Sequence, residues 1–243
     1  MTGNPRQQEL DSVTLDELRA WLRGKAHTSV PLAQGYQAVV HLYQDSAGEY
    51  VIKRARGSSL RRRLGEAAIR HEEKIYHRLS EVPGVPRCMG LVDGKYLVLE
   101  HIPGSSLRKL EHELEDRELF FKKLLNTIQG MHAAGVAHGD LKRKDNILVG
   151  PNQNPFVVDF GVACRRNRSG QGWRGFLFRS IVQADYNAWI KHKYRNRREA
   201  LSSDDEALYK PMRLEQLARG IRIIWQTLTL RRLRKRRRRA GNR

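Results

Sequence analysis

Three separated stretches of this 243-residue chain carry side chains able to hold a hard cation, neutralise phosphate charge and accept a proton. The first, His138-Gly-Asp-Leu-Lys-Arg-Lys-Asp-Asn146, supplies two carboxylates and an amide just ahead of the short apolar run Ile147-Leu-Val149. The second, Val157-Val-Asp-Phe-Gly161, places Asp159 thirteen residues after Asn146. The third, Tyr50-Val-Ile-Lys53, ends on a lysine, and Glu72 follows nineteen residues later. Glu66 and Glu73 lie close to Glu72, and helical phase decides which acid faces the lysine.

These groups need elements that hold them. Thr14-Leu-Asp-Glu17 reads as a capping box for a helix over about 14–23. Ala38-Val-Val-His-Leu-Tyr43 and Tyr50-Val-Ile-Lys53, joined through Asp45-Ser-Ala-Gly48, predict a hairpin that puts Lys53 on a strand. Ala68, Ile69, Ile75, Tyr76 and Leu79 share one face of a helix over about 59–80, which carries Glu72. Strands near 89–93 and 95–101 follow across Asp93-Gly94, and Pro103-Gly104 closes the block. Then come a helix over 107–135, strands over 146–149 and 156–158, a Gly/Arg/Ser-rich loop to Gly175, and helices over 180–196 and 203–233. The order predicts an α+β fold with an extension (1–29), a β-rich lobe (30–102), a helical lobe (103–230) and a basic tail (231–243).

Over about residues 30–190 the ordered set resembles the protein-kinase-like superfamily: lysine on a strand, acid on the next helix, catalytic loop before a hairpin. The resemblance implies a two-lobed kinase that uses ATP and Mg2+. Lys53 would bind the nucleotide phosphates and pair with Glu72; Asp159 and Asn146 would ligate the metal. Asp140 would accept the acceptor hydroxyl's proton, and Lys142 would neutralise the transferring phosphoryl group. Glu100 to Ile102 matches the segment that pairs adenine, with Val40 above it, and ordinary packing of an edge strand is equally compatible. His138 opens the catalytic loop. Asp185 is either the helical aspartate that braces this loop or a surface acid. The chain departs from the family pattern in four places. Of the phosphate-loop glycines only Gly35 remains. Gly139 replaces an arginine. The Asp140–Asn146 interval is one residue longer than the family's, so the loop bulges or Asp145 takes the metal position. No Ala-Pro-Glu follows Asp159, so the platform for a protein substrate is in question.

At 40% hydrophobic and 30% charged residues the chain can bury a core, which excludes collagen-like and wholly disordered readings. Cys88 and Cys164 form no CxxC pair and read as reduced thiols, with Cys164 either inert or a reactive thiol near the site. No apolar leader opens the sequence, and a cytoplasmic protein is expected. The net charge of +20 calls for an anionic partner, and nine Lys/Arg fall within residues 231–243. A second cluster, Arg165, Arg166, Arg168 and Arg174, lies where the acceptor should enter. Leu214, Leu217, Ile221, Ile224 and Leu228 form an apolar stripe before the tail, so residues 214–239 are expected to rest on an anionic membrane surface, with nucleic acid the less favoured partner. His-Gly-Asp-Leu and the short segment after Asp159 are similar to the bacterial lipopolysaccharide-core (Kdo/heptose) kinases. That resemblance implies an anionic core or lipid A sugar as acceptor at the inner face of the inner membrane. RIO-type and tRNA-complex protein kinases are the next resemblance, and aminoglycoside-type phosphotransferases the third.

Overall fold

The computed structural model describes residues 12–24, 33–34, 38–46, 48–56, 60–167, 172–195, 197, 199 and 201–210. Helix α1 (Ser12–Gly24) begins ahead of the expected Thr14 cap and turns Leu18 and Leu22 inward. Strands β1 (Ala33–Gln34), β2 (Ala38–Gln44) and β3 (Glu49–Ala55) precede helix α2 (Leu60–Arg78), and β4 (Cys88–Val92) and β5 (Tyr96–Glu100) follow it. The five strands form one antiparallel sheet in the order β1-β2-β3-β5-β4. Both hairpins close on their turn residues. The Asp45 carboxylate accepts the Gly48 amide at 3.0 Å. Asp93 and Gly94 take φ of 51° and 65°, the left-handed pair whose twist suits a two-residue hairpin turn.

Strand alternation divides this sheet cleanly. Ile52 and Val98, opposite one another, meet Leu18 and Leu22 of α1. Val51, Leu97 and Leu99 turn the other way, to Ile69, Ile75 and Tyr76 of α2 and to Leu79 just past its end. Lys53 pairs with Leu97 in the ladder and therefore lies on the α2 face. Each large apolar side chain buried this way contributes about 1.5–3 kcal/mol, enough to fix the register that aims Lys53.

The chain continues through β6 (Ser105–Ser106), α3 (Leu107–Leu110), α4 (Arg117–Ala133) and β7 (Val136–Ala137). A 3-10 turn (Lys144–Asn146) leads into β8 (Ile147–Val149) and β9 (Pro155–Val157), which form a small sheet with β6. Strand β10 (Cys164–Arg165) pairs with β7; helices α5 (Gly172–Lys193) and α6 (Ser203–Glu206) follow. The expected helix over 107–135 is two helices, because the Asp116 side chain caps a new start by accepting the Leu119 amide at 2.8 Å. Helix α5 begins at Gly172 rather than near 180, taking in the end of the expected loop at Gly175, and both Gly175 and Phe178 are buried. Phe120, Phe121, Leu124, Ile128 and Met131 of α4 share the core with Ala188, Trp189 and Ile190 of α5. The Trp189 indole N–H donates to the Phe121 carbonyl at 2.8 Å.

Gly35, Arg168, most of the expected 203–233 helix, the apolar stripe and the tail, hence residues 214–239, lie outside the described residues. Among the described residues no helix is long and apolar enough to cross a membrane.

Candidate active site

Glu72 stands between Ile69 and Tyr76 on the buried face of α2, so its carboxylate reaches the sheet. Lys53 Nζ lies 2.8 Å from Glu72 Oε1 and 2.8 Å from Asp159 Oδ1. The neighbouring acids are used elsewhere: Glu73 meets His77 at 3.0 Å, and Glu66 lies 3.7 Å from Arg62. The Lys53 and Glu72 side chains are 13% and 2% exposed, whereas that of Asp159 is 47% exposed. Burial opposes the charge on Lys53, but the Glu72 and Asp159 carboxylates outweigh it and hold the ammonium above its ordinary range. Asp159 is likewise pushed up by desolvation and pulled further down by Lys53, leaving it below the usual carboxylate range. Asp159 sits at φ 67°, a strained turn for a non-glycine residue. The turn sends Phe160 into the core, its ring 5.0 Å from Tyr76 and 4.9 Å from His138.

The loop opened by His138 is held from three sides. His138 Nε2 meets the Val158 carbonyl at 3.0 Å, and its Nδ1 receives the Asp140 amide at 3.2 Å. A carbonyl only accepts and an amide only donates, so these partners assign the neutral Nε2–H tautomer. Asp185, buried on α5, accepts the His138 and Gly139 amides at 2.7 and 2.9 Å, and contacts His132 Nε2 at 3.1 Å. Gly139 has φ 79°, and a Cβ there would stand 3.3 Å from Ile181; a side chain in place of this glycine is strained.

Asn146 is buried and donates its amide N–H to the Asp140 carbonyl at 3.1 Å, which leaves its side-chain oxygen as an acceptor. Asp145 turns outward to Arg108, which pulls its carboxyl below the ordinary range. The longer loop thus sets Asn146, rather than Asp145, beside Asp140.

Val40 lies opposite Lys53 in the ladder and so shares its face. The Glu100 carboxylate faces Arg87, accepting its amide at 3.0 Å, and buried Ile102 packs on Gly150. The Glu100 side chain is engaged by Arg87 and that of Ile102 by packing, so any contact of theirs with a nucleotide base falls to backbone groups. Lys142 is exposed and lines a cavity with residues of the α3 and α5 ends. No motif in the sequence marks those other lining residues. Arg165 and Arg166 are exposed after Asp159, and the Arg174 guanidinium lies 5.4 Å from the Trp173 ring centroid. Burial pushes the Cys88 thiol up to about 12 and raises that of Cys164, which disfavours the nucleophilic thiolate at both.

The family model "Protein kinase domain" matches residues 28–188. The chain is similar to the putative cyclin-dependent kinase F-2 of Oryza sativa subsp. japonica, 33% identical over 149 residues, covering 54% of this chain and 45% of that one. It is similar to the serine/threonine-protein kinase ppk34 of Schizosaccharomyces pombe, 29% identical over 178 residues, covering 54% and 50%. It also resembles the maternal embryonic leucine zipper kinase of Danio rerio, 32% identical over 83 residues, covering 32% and 12%. The chain therefore spans half or less of each relative's length. These names support the protein-kinase reading over the lipopolysaccharide-sugar reading.

Proposed function

The chain belongs to the protein kinase domain family, and from that membership we propose that it moves the γ-phosphoryl group of ATP to a serine or threonine hydroxyl of a protein. The observation that carries the reading is the meeting of Lys53, Glu72 and Asp159, drawn from a strand, a helix and a loop, within 3 Å contacts. A lipopolysaccharide sugar as acceptor gives way, because the named relatives are protein kinases.

In this reading Lys53, fixed by Glu72, binds the nucleotide phosphates, and Val40 and the backbone of Glu100 to Ile102 surround the base. Asp159 and Asn146 offer a carboxylate and an amide oxygen, and among the described residues no group of three or more His, Cys, Asp or Glu forms a cage. Two hard donors suit Mg2+, which keeps waters and substrate phosphates as its other ligands. When bound, the ion supplies neutralisation of phosphate charge. Asp140 takes the proton of the attacking hydroxyl, its backbone set by His138 and Asn146. Lys142 offsets charge on the group in transit. Asp185 holds the loop through the His138 and Gly139 amides and so positions Asp140 without touching substrate. The nine basic residues of 231–243 support attachment to an anionic surface inside the cell.

The test is incubation of the purified protein with γ-labelled ATP, Mg2+ and cell extract, followed by separation of protein, lipid and RNA. Label on serine or threonine of the protein fraction, lost with Asp140→Ala, is the expected result. Label confined to lipid overturns the proposal in favour of a membrane sugar.

A further inference from the structure

A cavity of about 350 Å3 opens beside the catalytic loop, walled by the α3 end, by Lys142 and Lys144, and by the end of α5. Its lining carries the cations Arg108, Lys142, Lys144, Lys191 and Arg195 against a single carboxylate, Glu111. That carboxylate is already shared: Lys144 contacts it closely, Arg117 at 3.2 Å and Arg195 at 3.5 Å. Arg108 is engaged by Asp145. Lys142 and Lys191 meet no carboxylate among the described residues. A concave wall with surplus cations focuses its field on an incoming anion.

The wall is also in register with the chemistry. The His192 Nε2–H donates to the Leu141 carbonyl at 2.8 Å, so the end of α5 is fastened to the residue after Asp140. An anion seated here stands at a fixed offset from the proton acceptor. The volume holds one or two anionic side chains, whereas a nucleic-acid backbone needs a continuous track of cations.

We propose that this cavity is a specificity subsite for the acceptor: it takes a carboxylate or phosphate borne by the same polypeptide, close to the hydroxyl that is phosphorylated. The inference rests on the protein-kinase reading above and names the kind of sequence that reading leaves open.

The test uses the full chain and one serine peptide in four versions, flanked by alanine, glutamate, phosphoserine or lysine. Wild-type kcat/KM is expected to be at least tenfold higher for the glutamate or phosphoserine version than for the alanine one, and the two anionic arms tell the carboxylate source from the phosphate source. Lys191→Glu is expected to remove most of that preference while leaving kcat/KM for the alanine peptide within twofold. Fluorescence anisotropy of the labelled glutamate peptide is read alongside, with affinity expected to fall about tenfold in Lys191→Glu. Phosphorylation of all four versions without acidic preference, or an equal loss on all four in Lys191→Glu, overturns the subsite and spares the kinase. Lys191-dependent binding of the glutamate peptide without phosphorylation supports the subsite and overturns the protein-kinase reading. Displacement of that peptide by an RNA oligonucleotide that itself binds through Lys191 overturns the assignment to a polypeptide.

Discussion

Arg108 holds Asp145 by two parallel hydrogen bonds, Nε to Oδ1 at 2.8 Å and Nη2 to Oδ2 at 3.0 Å, while the adjacent Asn146 turns inward to the Asp140 carbonyl. Two neighbouring oxygen-bearing residues are thereby assigned opposite duties. Asn146→Ala is expected to raise the Mg2+ concentration for half-maximal activity at least tenfold. Asp145→Asn, which loses only a largely exposed ion pair, is expected to leave that concentration within threefold. A Mg2+ titration of both variants checks this; the reverse ranking places Asp145 at the metal.

Asp140 and Asp159 act on different partners. Asp140→Ala is expected to cut turnover by roughly 10²–10⁴-fold, the usual worth of a general base, with nucleotide affinity largely kept. Asp159→Ala is expected to weaken Mg-nucleotide binding itself. Calorimetry of nucleotide binding beside steady-state rates separates the two, and near-normal turnover in Asp140→Ala would remove it from the base role.

Removing the ammonium of Lys53 leaves the Glu72 carboxylate buried without its counter-charge. Lys53→Ala is expected to destabilise the fold by about 3–5 kcal/mol. Lys53→Met combined with Glu72→Gln is expected to recover most of that loss while remaining inactive. Urea unfolding followed by circular dichroism reads both variants.

The Asp205 carboxyl lies below its ordinary value of 3.8: burial pushes it up, but Lys193 Nζ at 2.6 Å and the Tyr194 hydroxyl at 2.5 Å pull it further down. The folded chain therefore releases this proton at lower pH than the unfolded chain does. Its stabilisation is complete above pH 3.8 and is lost as pH falls through the lower, folded value. Asp205→Asn is expected to cost about 2 kcal/mol at pH 7. The gap to wild type should narrow in unfolding curves as pH falls below 3.8; a gap that stays constant there assigns the stabilisation to packing.

Much of the site is legible in sequence because its residues sit in short stretches with fixed spacing. Glu72 is the clearest case, since Ile69, Ile75, Tyr76 and Leu79 define the buried face on which it falls. The break after α3 is harder to read: apolar periodicity runs on through 107–135, and only the cap at Asp116 stops the helix. The start of α5 hides for another reason. Trp173 and Phe176 are exposed apolar side chains that break the amphipathic pattern, so no polar stripe marks it, and its two early glycines resemble a loop. The cavity is illegible altogether, because Arg108, Lys142 and Lys191 are brought together only by tertiary packing.

The segment matched by the kinase family runs from residue 28 to 188, yet several of the clamps on the machinery fall beyond it. Trp189 and His192 come after its end, and the α1 leucines that cover the reverse of the Lys53 strand come before its start. A protein trimmed to those borders would present bare apolar sheet to solvent and lose the tether on Leu141. Loss of solubility or turnover in such a fragment would report missing scaffolding and say nothing against its chemistry.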